Sequence, residues 1–332
     1  MIRQVTAGDK KLDVKDRMRN RYKHKNYPEE FTYRCKCILV FQDLDGVDVL
    51  LFALYVYEHD ERNPAPNTRT AYISYLDSVY YMRPRYLRTF VYHEILISYL
   101  DYARKRGFAT AHIWACPPLK GDDYIFYAKP EDQKTPKESR LRQWYVDMLV
   151  EAQKRSIVGT VTNMYDLYFV KGNDATVVPY LEGDYFSGEI ETFIKEVEDG
   201  KSKGKGKSKS KKKQQSKSDK TKKMRKGTRS GGLEDDFRKG DDPKPCDPSN
   251  DEAMKQLGEF IKPMKDSFIV AYLNWDGAKP EHMKVPKDIQ EERERRKKEE
   301  RAPIKNESNQ VQKDRHGKPV RIIDDDSEEL EC

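Results

Sequence analysis

Apolar and polar positions follow one another along this chain with changing period, and the changes mark its elements. Cys35 to Phe41 and Val47 to Tyr57 are β-rich runs joined by Asp43-Leu44-Asp45-Gly46. An Asp-Gly step between two such runs closes a hairpin, and their nearly continuous apolar character puts at least one of them inside a sheet. Asn63-Pro64-Ala65-Pro66-Asn67 is a loop by composition, and Ala71 to Leu76 is the next strand. A helix from about Leu87 places Val91, Ile95 and Tyr102 along one face, with Leu96, Leu100 and Ala103 alongside, and stops at Lys105-Arg106-Gly107. Phe108 to Ala115 then reads as a strand. Strand, helix, strand is a crossover unit, so the two strands are expected to be parallel neighbours.

Pro117-Pro118 ends that strand, and an irregular segment from Gly121 carries Tyr124-Ile125-Phe126-Tyr127. A helix over about Ser139 to Lys154 buries Leu141, Tyr145, Met148, Leu149 and Ala152, with Arg140 and Trp144 four apart on an adjacent face. Pro179 to Asp184 is turn-rich, and Ile190, Phe193, Ile194 and Val197 predict a short amphipathic helix. Further on, Leu257, Phe260 and Ile261 suggest a helix, and Ser267 to Leu273 a strand. Near the N-terminus, Lys11 to Lys15 alternates as a strand does, and Tyr27-Pro28 ends whatever precedes it. Glu291 to Arg296 reads as a solvated helix or a tail. The fold class is α/β, a central mixed sheet flanked by helices.

Composition changes this picture in one place. Apolar and charged residues each make up 36% of the 332, so part of the chain lies outside a packed core. From Lys201 to Arg229 the sequence is almost wholly Lys, Ser, Gly, Gln and Thr, too polar to offset the entropy of ordering. The net charge of +7 therefore belongs to the tract and says little about the folded surface. The expected organisation is a core over 1–200, a disordered Lys-rich insertion over 201–245, a C-terminal part of the core over 246–275 and a charged tail over 276–332. Five cysteines, Cys35, Cys37, Cys116, Cys246 and Cys332, have no zinc spacing and point to reduced thiols and no metal. With neither a signal peptide nor a membrane-spanning apolar run, the expectation is a soluble protein of cytosol or nucleus.

The stretch Tyr72 to Arg88 holds the main candidate chemistry. It runs from a strand through Leu76-Asp77-Ser78 to Arg88 and Thr89 at a helix start, where open N–H groups and the helix dipole favour a phosphate. Alone, such a signal is weak, and aromatics such as Trp114, Trp144 and Tyr145 usually fill cores. His93 and His112 read as core residues, and Asp122-Asp123 as a turn.

Four motifs in order carry more: YLDSV at Tyr75 to Val79, LRTFVYHEILISYL at Leu87 to Leu100, HIWACPPLKGDDYI at His112 to Ile125, and LRQWY at Leu141 to Tyr145. Together they resemble the catalytic domain of the CREB-binding-protein family of histone acetyltransferases, nearer its plant-type members. The likeness runs from about Val5 to Val197 and resumes from about Met254 to Leu273. It implies an acetyltransferase-like core that binds acetyl-CoA (acetyl-coenzyme A) and acetylates lysines of histone tails and other nuclear proteins in the nucleus. Transcription factors or co-activators are implied as partners. By the same resemblance, Leu76, Asp77, Ser78, Arg88, Thr89, Thr135, Arg140 and Trp144 match cofactor contacts. Tyr145 matches the general acid, Trp114 the wall of the lysine tunnel, Ser74 and Tyr75 the reacting centre, and Glu182 the acidic substrate groove.

Thr135 departs from the isoleucine of the animal members, and Phe186 stands where tryptophan is common. Relative to the family, the chain starts late and stops before further modules, so a truncated chain is expected. The lysine tract has three readings: a phosphate-binding arm, a localisation signal at KKMRKGTR, or a regulatory loop that occupies the acidic groove until acetylated. The resemblance favours the loop. A rival from another class is a catalytically silent scaffold that holds chromatin or nucleic acid through the tract. Trp114 and Tyr145 together speak against it. A small-molecule acyltransferase is a further rival, disfavoured by the Glu182 region.

Overall fold

The computed structural model describes residues 1–118, 124–200 and 251–301, so the lysine tract, Asp122-Asp123, Cys246 and Cys332 lie outside the described residues. Two compact units are present, 1–285 and 286–332. In the second, the helix α6 spans Lys287–Arg301, laced by ion pairs such as Arg296 with Glu292.

In the first unit, seven strands among the described residues form one sheet. They are β1 (Ile2–Asp13), β2 (Glu30–Leu44), β3 (Val47–His59), β4 (Thr70–Ser78), β5 (Thr110–Trp114), β6 (Val158–Asn163) and β7 (Phe268–Leu273), in the order β1-β2-β3-β4-β5-β7-β6. The β4–β5 pair is parallel and the other neighbours are antiparallel. The β2–β3 hairpin turns at Asp45 and Gly46, with φ of 58° and 82°, the two left-handed positions a tight hairpin demands. Helix α2 (Arg88–Lys105) makes the expected crossover and ends before Gly107 at φ +86°.

Each face of the sheet carries its own core. On one side α2 and α3 (Glu138–Lys154) bring Leu96, Leu100, Met148 and Leu149 against Leu54, Val56, Ile73 and Ile269. On the other, α1 (Asp16–Arg21), α4 (Tyr185–Glu198) and α5 (Glu252–Ile261) gather Met18, Tyr22, Phe31, Phe186, Ile194 and Leu257 over Trp114 and Phe268. Asp251 fastens this second layer. Its buried carboxylate accepts from Arg21 at 2.8 Å, from the Tyr22 hydroxyl, and from the Ala253 N–H that it caps.

Two residues read as core from periodicity stand further out. Tyr102 is 46% exposed, its hydroxyl 3.2 Å from Lys36 Nζ and 3.0 Å from an Arg106 nitrogen, so polar partners draw it off the buried face. Phe260 is partly exposed, although it lies along Tyr185 and Phe193. The strand β6, the helix α1 and the full length of β1 were not expected from the pattern.

Two imidazoles are buried on the second face, and the Nε2 atoms of His59 and His112 have no hydrogen-bond partner. Burial holds His59 down to about 4 and His112 down to about 3, so both stay neutral in the folded protein. An unfolded histidine takes up a proton near pH 6.5, so the unfolded state binds more protons below that value and stability falls with falling pH. Denaturant melts are expected to lose about 2–3 kcal/mol between pH 7.5 and 5.5. Burial raises Glu182 and Glu191, and carboxyls held above their ordinary range gain stability as the pH falls, so these two oppose the histidine trend in part. A flat profile over that window would show that the imidazoles are solvated.

Candidate active site where the parallel strands part

The parallel register runs from Thr70 opposite Thr110 to Ile73 opposite Ile113, whereas β4 continues against β3 to Ser78 opposite Phe52. Past Ile73 the two strands no longer pair, so the β5-facing edge of β4 has no strand beside it among the described residues, and this break in the ladder is the gap between them. Ser74 marks the place. Val56 pairs with Ile73 and Tyr55 with Tyr75, so Ser74 is the extra residue of a β-bulge, buried beside the Tyr57 phenol. Such a bulge re-aims the side chains that follow it. Ile73 and Leu76 face the α2–α3 core, while Tyr75 falls on the other face with Tyr55 and Tyr57.

On the α2–α3 side, the helix start is open. Leu87 makes no side-chain cap, and Arg88 reaches back so that a guanidinium nitrogen donates to Ser78 Oγ at 3.1 Å, over the Tyr92 ring. Thr89, Thr135 and Arg140 are exposed. Trp144 is half-buried, 4.6 Å from the His93 ring and 5.1 Å from the Tyr145 ring, and packs on the same core as Leu76. Tyr145 is buried, and burial pushes its phenol well above the ordinary tyrosine range. Asp77 is committed to protein groups: one oxygen accepts from the Ile125 and Phe126 N–H groups, the other from Lys129.

On the opposite side, Tyr75 packs edge-on against Tyr124 at 5.8 Å, and the Tyr124 hydroxyl donates to the Cys116 carbonyl at 3.0 Å. Gly183, at φ +71°, brings its backbone beside the Tyr75 hydroxyl, where a Cβ would stand 3.6 Å away. Trp114 lies edge-on to Tyr185 and stacks on Phe268. Asp184 caps α4 by accepting the Phe186 N–H, and Glu182 is half-buried, its carboxyl raised by burial against the pull of Lys10 and Lys15. Asn67, fully buried in the loop after β3, holds this turn. Its side chain bonds both the N–H and the carbonyl of Tyr180, at 2.7 and 2.8 Å.

Trp114 and Tyr145 thus belong to opposite core layers. Reading the sequence gave no role to Tyr124, Gly183 or Asn67. For Tyr124 the signal was its place in the aromatic run at the end of the His112 to Ile125 motif, and for Gly183 the Gly inside PYLEGDY; Asn67 had none. Among the described residues no group of three or more His, Cys, Asp or Glu is placed to hold a metal ion, and no helix is long and apolar enough to cross a membrane.

Sheet, crossover and gap define an α/β domain that opens between its two parallel strands. Residues 1–273 match the model of the KAT3 histone acetyltransferase domain, and the chain belongs to that family. It is 42% identical over 293 residues to "Probable histone acetyltransferase HAC-like 1" of Oryza sativa subsp. japonica, covering 83% of this chain and 16% of that protein. "Histone acetyltransferase HAC1" of Arabidopsis thaliana is 38% identical over 363 residues, covering 98% of this chain and 20% of the relative. "Protein cbp-1" of Caenorhabditis elegans is 44% identical over 208 residues, covering 61% of this chain and 10% of the relative. The chain spans between 10% and 20% of the length of these relatives.

Proposed function

We propose that this chain transfers acetyl from acetyl-CoA to lysine side chains of histone tails and other nuclear proteins, and that it acts in the nucleus alongside transcription factors or co-activators. The observation that carries the reading is the gap beyond Ile73, flanked on one side by Arg88 and an uncapped helix start and on the other by Tyr75, Tyr124 and Trp114. The residues fit the cofactor chemically. The β4 edge beyond Ile73 offers amide groups to an extended amide-bearing arm, and Arg88 with the first-turn N–H groups suits a pyrophosphate.

Bound acetyl-CoA supplies an acyl thioester that an uncharged amine can attack. The protein's own work is then positioning and one proton. Tyr75, Tyr124 and Trp114 present apolar ring faces to the stem of an incoming lysine. Half-buried Glu182 suits a lysine-rich peptide at the entrance. Tyr145, kept protonated by its burial, holds a proton for the departing thiolate, which leaves positioning to supply much of the acceleration. Transfer of acetyl to a histone-tail peptide, followed by mass, tests the reading.

The Lys-rich tract falls outside the described residues, and the regulatory-loop reading for it stands as part of this proposal. Removing residues 201–229 is expected to raise basal transfer severalfold. An unchanged basal rate would leave the phosphate-binding arm or the localisation signal.

A further inference from the structure

Asp77 is 7% exposed, at the end of β4 where the strands have already parted. One carboxylate oxygen accepts the Ile125 N–H at 3.0 Å and the Phe126 N–H at 3.1 Å. The other accepts the Ser78 N–H at 3.0 Å and Lys129 Nζ at 2.8 Å. The Lys129 side chain is 23% exposed, so the pair is shielded from water on both partners. Four residues on, Gln133 repeats the stitch. Its side-chain nitrogen donates to the Ser78 carbonyl at 2.9 Å and its oxygen accepts the Tyr80 N–H at 3.0 Å. Residues 124–133 are therefore fastened along the end of β4, and Tyr124 at their head is set between Tyr75 and the Cys116 carbonyl.

We infer that Lys129, acting through Asp77, is a positioning residue for the transfer reaction: the ion pair holds residues 124–130 in place on β4 and so keeps Tyr124 against Tyr75. This rests on the function proposed above. Three backbone N–H dipoles offset a carboxylate held out of water only in part, and Lys129 adds a full positive charge at contact. Without that charge the carboxylate regains solvation by drawing away from the Ile125 and Phe126 amides. The loss of those two bonds frees the segment that carries Tyr124. Lys129 needs no contact with either substrate to act in this way, and its partial exposure lets it be replaced without opening the core.

The experiment compares the full chain with Lys129→Met, Lys129→Arg, Asp77→Asn and the Asp77→Asn/Lys129→Met double variant. One readout is hydrogen exchange at the Ile125 and Phe126 amides, measured without cofactor. The other is kcat/KM toward a lysine peptide. Lys129→Met is expected to speed exchange at both amides and to lower kcat/KM about tenfold, with an unchanged melting midpoint. Lys129→Arg is expected to restore both, and the double variant to be no worse than either single one, because all three changes break the same pair. Unchanged exchange in Lys129→Met, or losses that multiply in the double variant, would overturn the inference. If no protein in the set, wild type included, transfers acetyl, the functional reading fails, and amide exchange still decides the clamp.

Discussion

Tyr145→Phe is expected to lower kcat about a hundredfold or more, with the melting midpoint and the affinity for acetyl-CoA close to wild type. The ring is 5% exposed and packs within the α2–α3 core beside Trp144, so phenylalanine fills the same space and only the hydroxyl is removed. Burial alone raises this phenol, so the proton is held at neutral and mildly alkaline pH and its loss is not mimicked by mild alkali. Steady-state rates for the two proteins check the assignment. A variant within about threefold of wild type would move the proton-donating role to water or to another phenol across the gap, with Tyr75 and Tyr124 the nearest in kind.

Asp251→Ala is expected to destabilise the domain by about 3–5 kcal/mol, the largest loss anticipated for a residue outside the gap. The change removes the α5 cap and takes the carboxylate acceptor away from the Arg21 guanidinium and the Tyr22 hydroxyl, both directed at a side chain with no exposure. Arg21 and Tyr22 come from the first helix of the chain, whereas α5 follows the long insertion, so this one carboxylate ties the two ends of the second core layer together. Urea melts followed by fluorescence would measure the cost, and a loss below about 1 kcal/mol would mean that the tie is solvated. Asp251→Asn, which keeps the cap acceptor, is expected to fall between the two.

These effects also show where sequence alone was sufficient. The β2–β3 hairpin was legible because Asp45-Gly46 allows few alternatives. The β4–α2–β5 crossover was legible because each member has its own period and a Gly stop. The motif residues were legible as a set in their packing: Leu76, Trp144 and Tyr145 pack with the α2–α3 core, Arg88 reaches Ser78, and Trp114 packs in the other layer, while their roles toward a cofactor or a lysine belong to the proposal. Only the end of β1 was legible, in the alternation that begins at Lys11; the rest is exposed almost throughout and held by its backbone ladder to β2, which leaves no apolar alternation to read. Tyr102 misled for the opposite reason. Its spacing is that of a core residue, but Lys36 and Arg106 compete for its hydroxyl at the helix edge. Asn67 and Asp77 were out of reach as positioning groups because their partners lie 113 and 48 residues away, and spacing carries no signal over such distances. The bulge at Ser74 belongs to the same class, since register is a property of two strands and not of one.

The central claim is that the gap between the parted strands is a site of acetyl transfer to lysine. The most direct test is the mass of a histone-tail peptide after incubation with acetyl-CoA and either the full chain, its Tyr145→Phe variant or no protein. The account predicts acetylated peptide with the full chain, little with the variant and background alone without protein. Acetyl-CoA binding by the full chain with no peptide acetylation above background would contradict it and leave a cofactor-binding scaffold in its place.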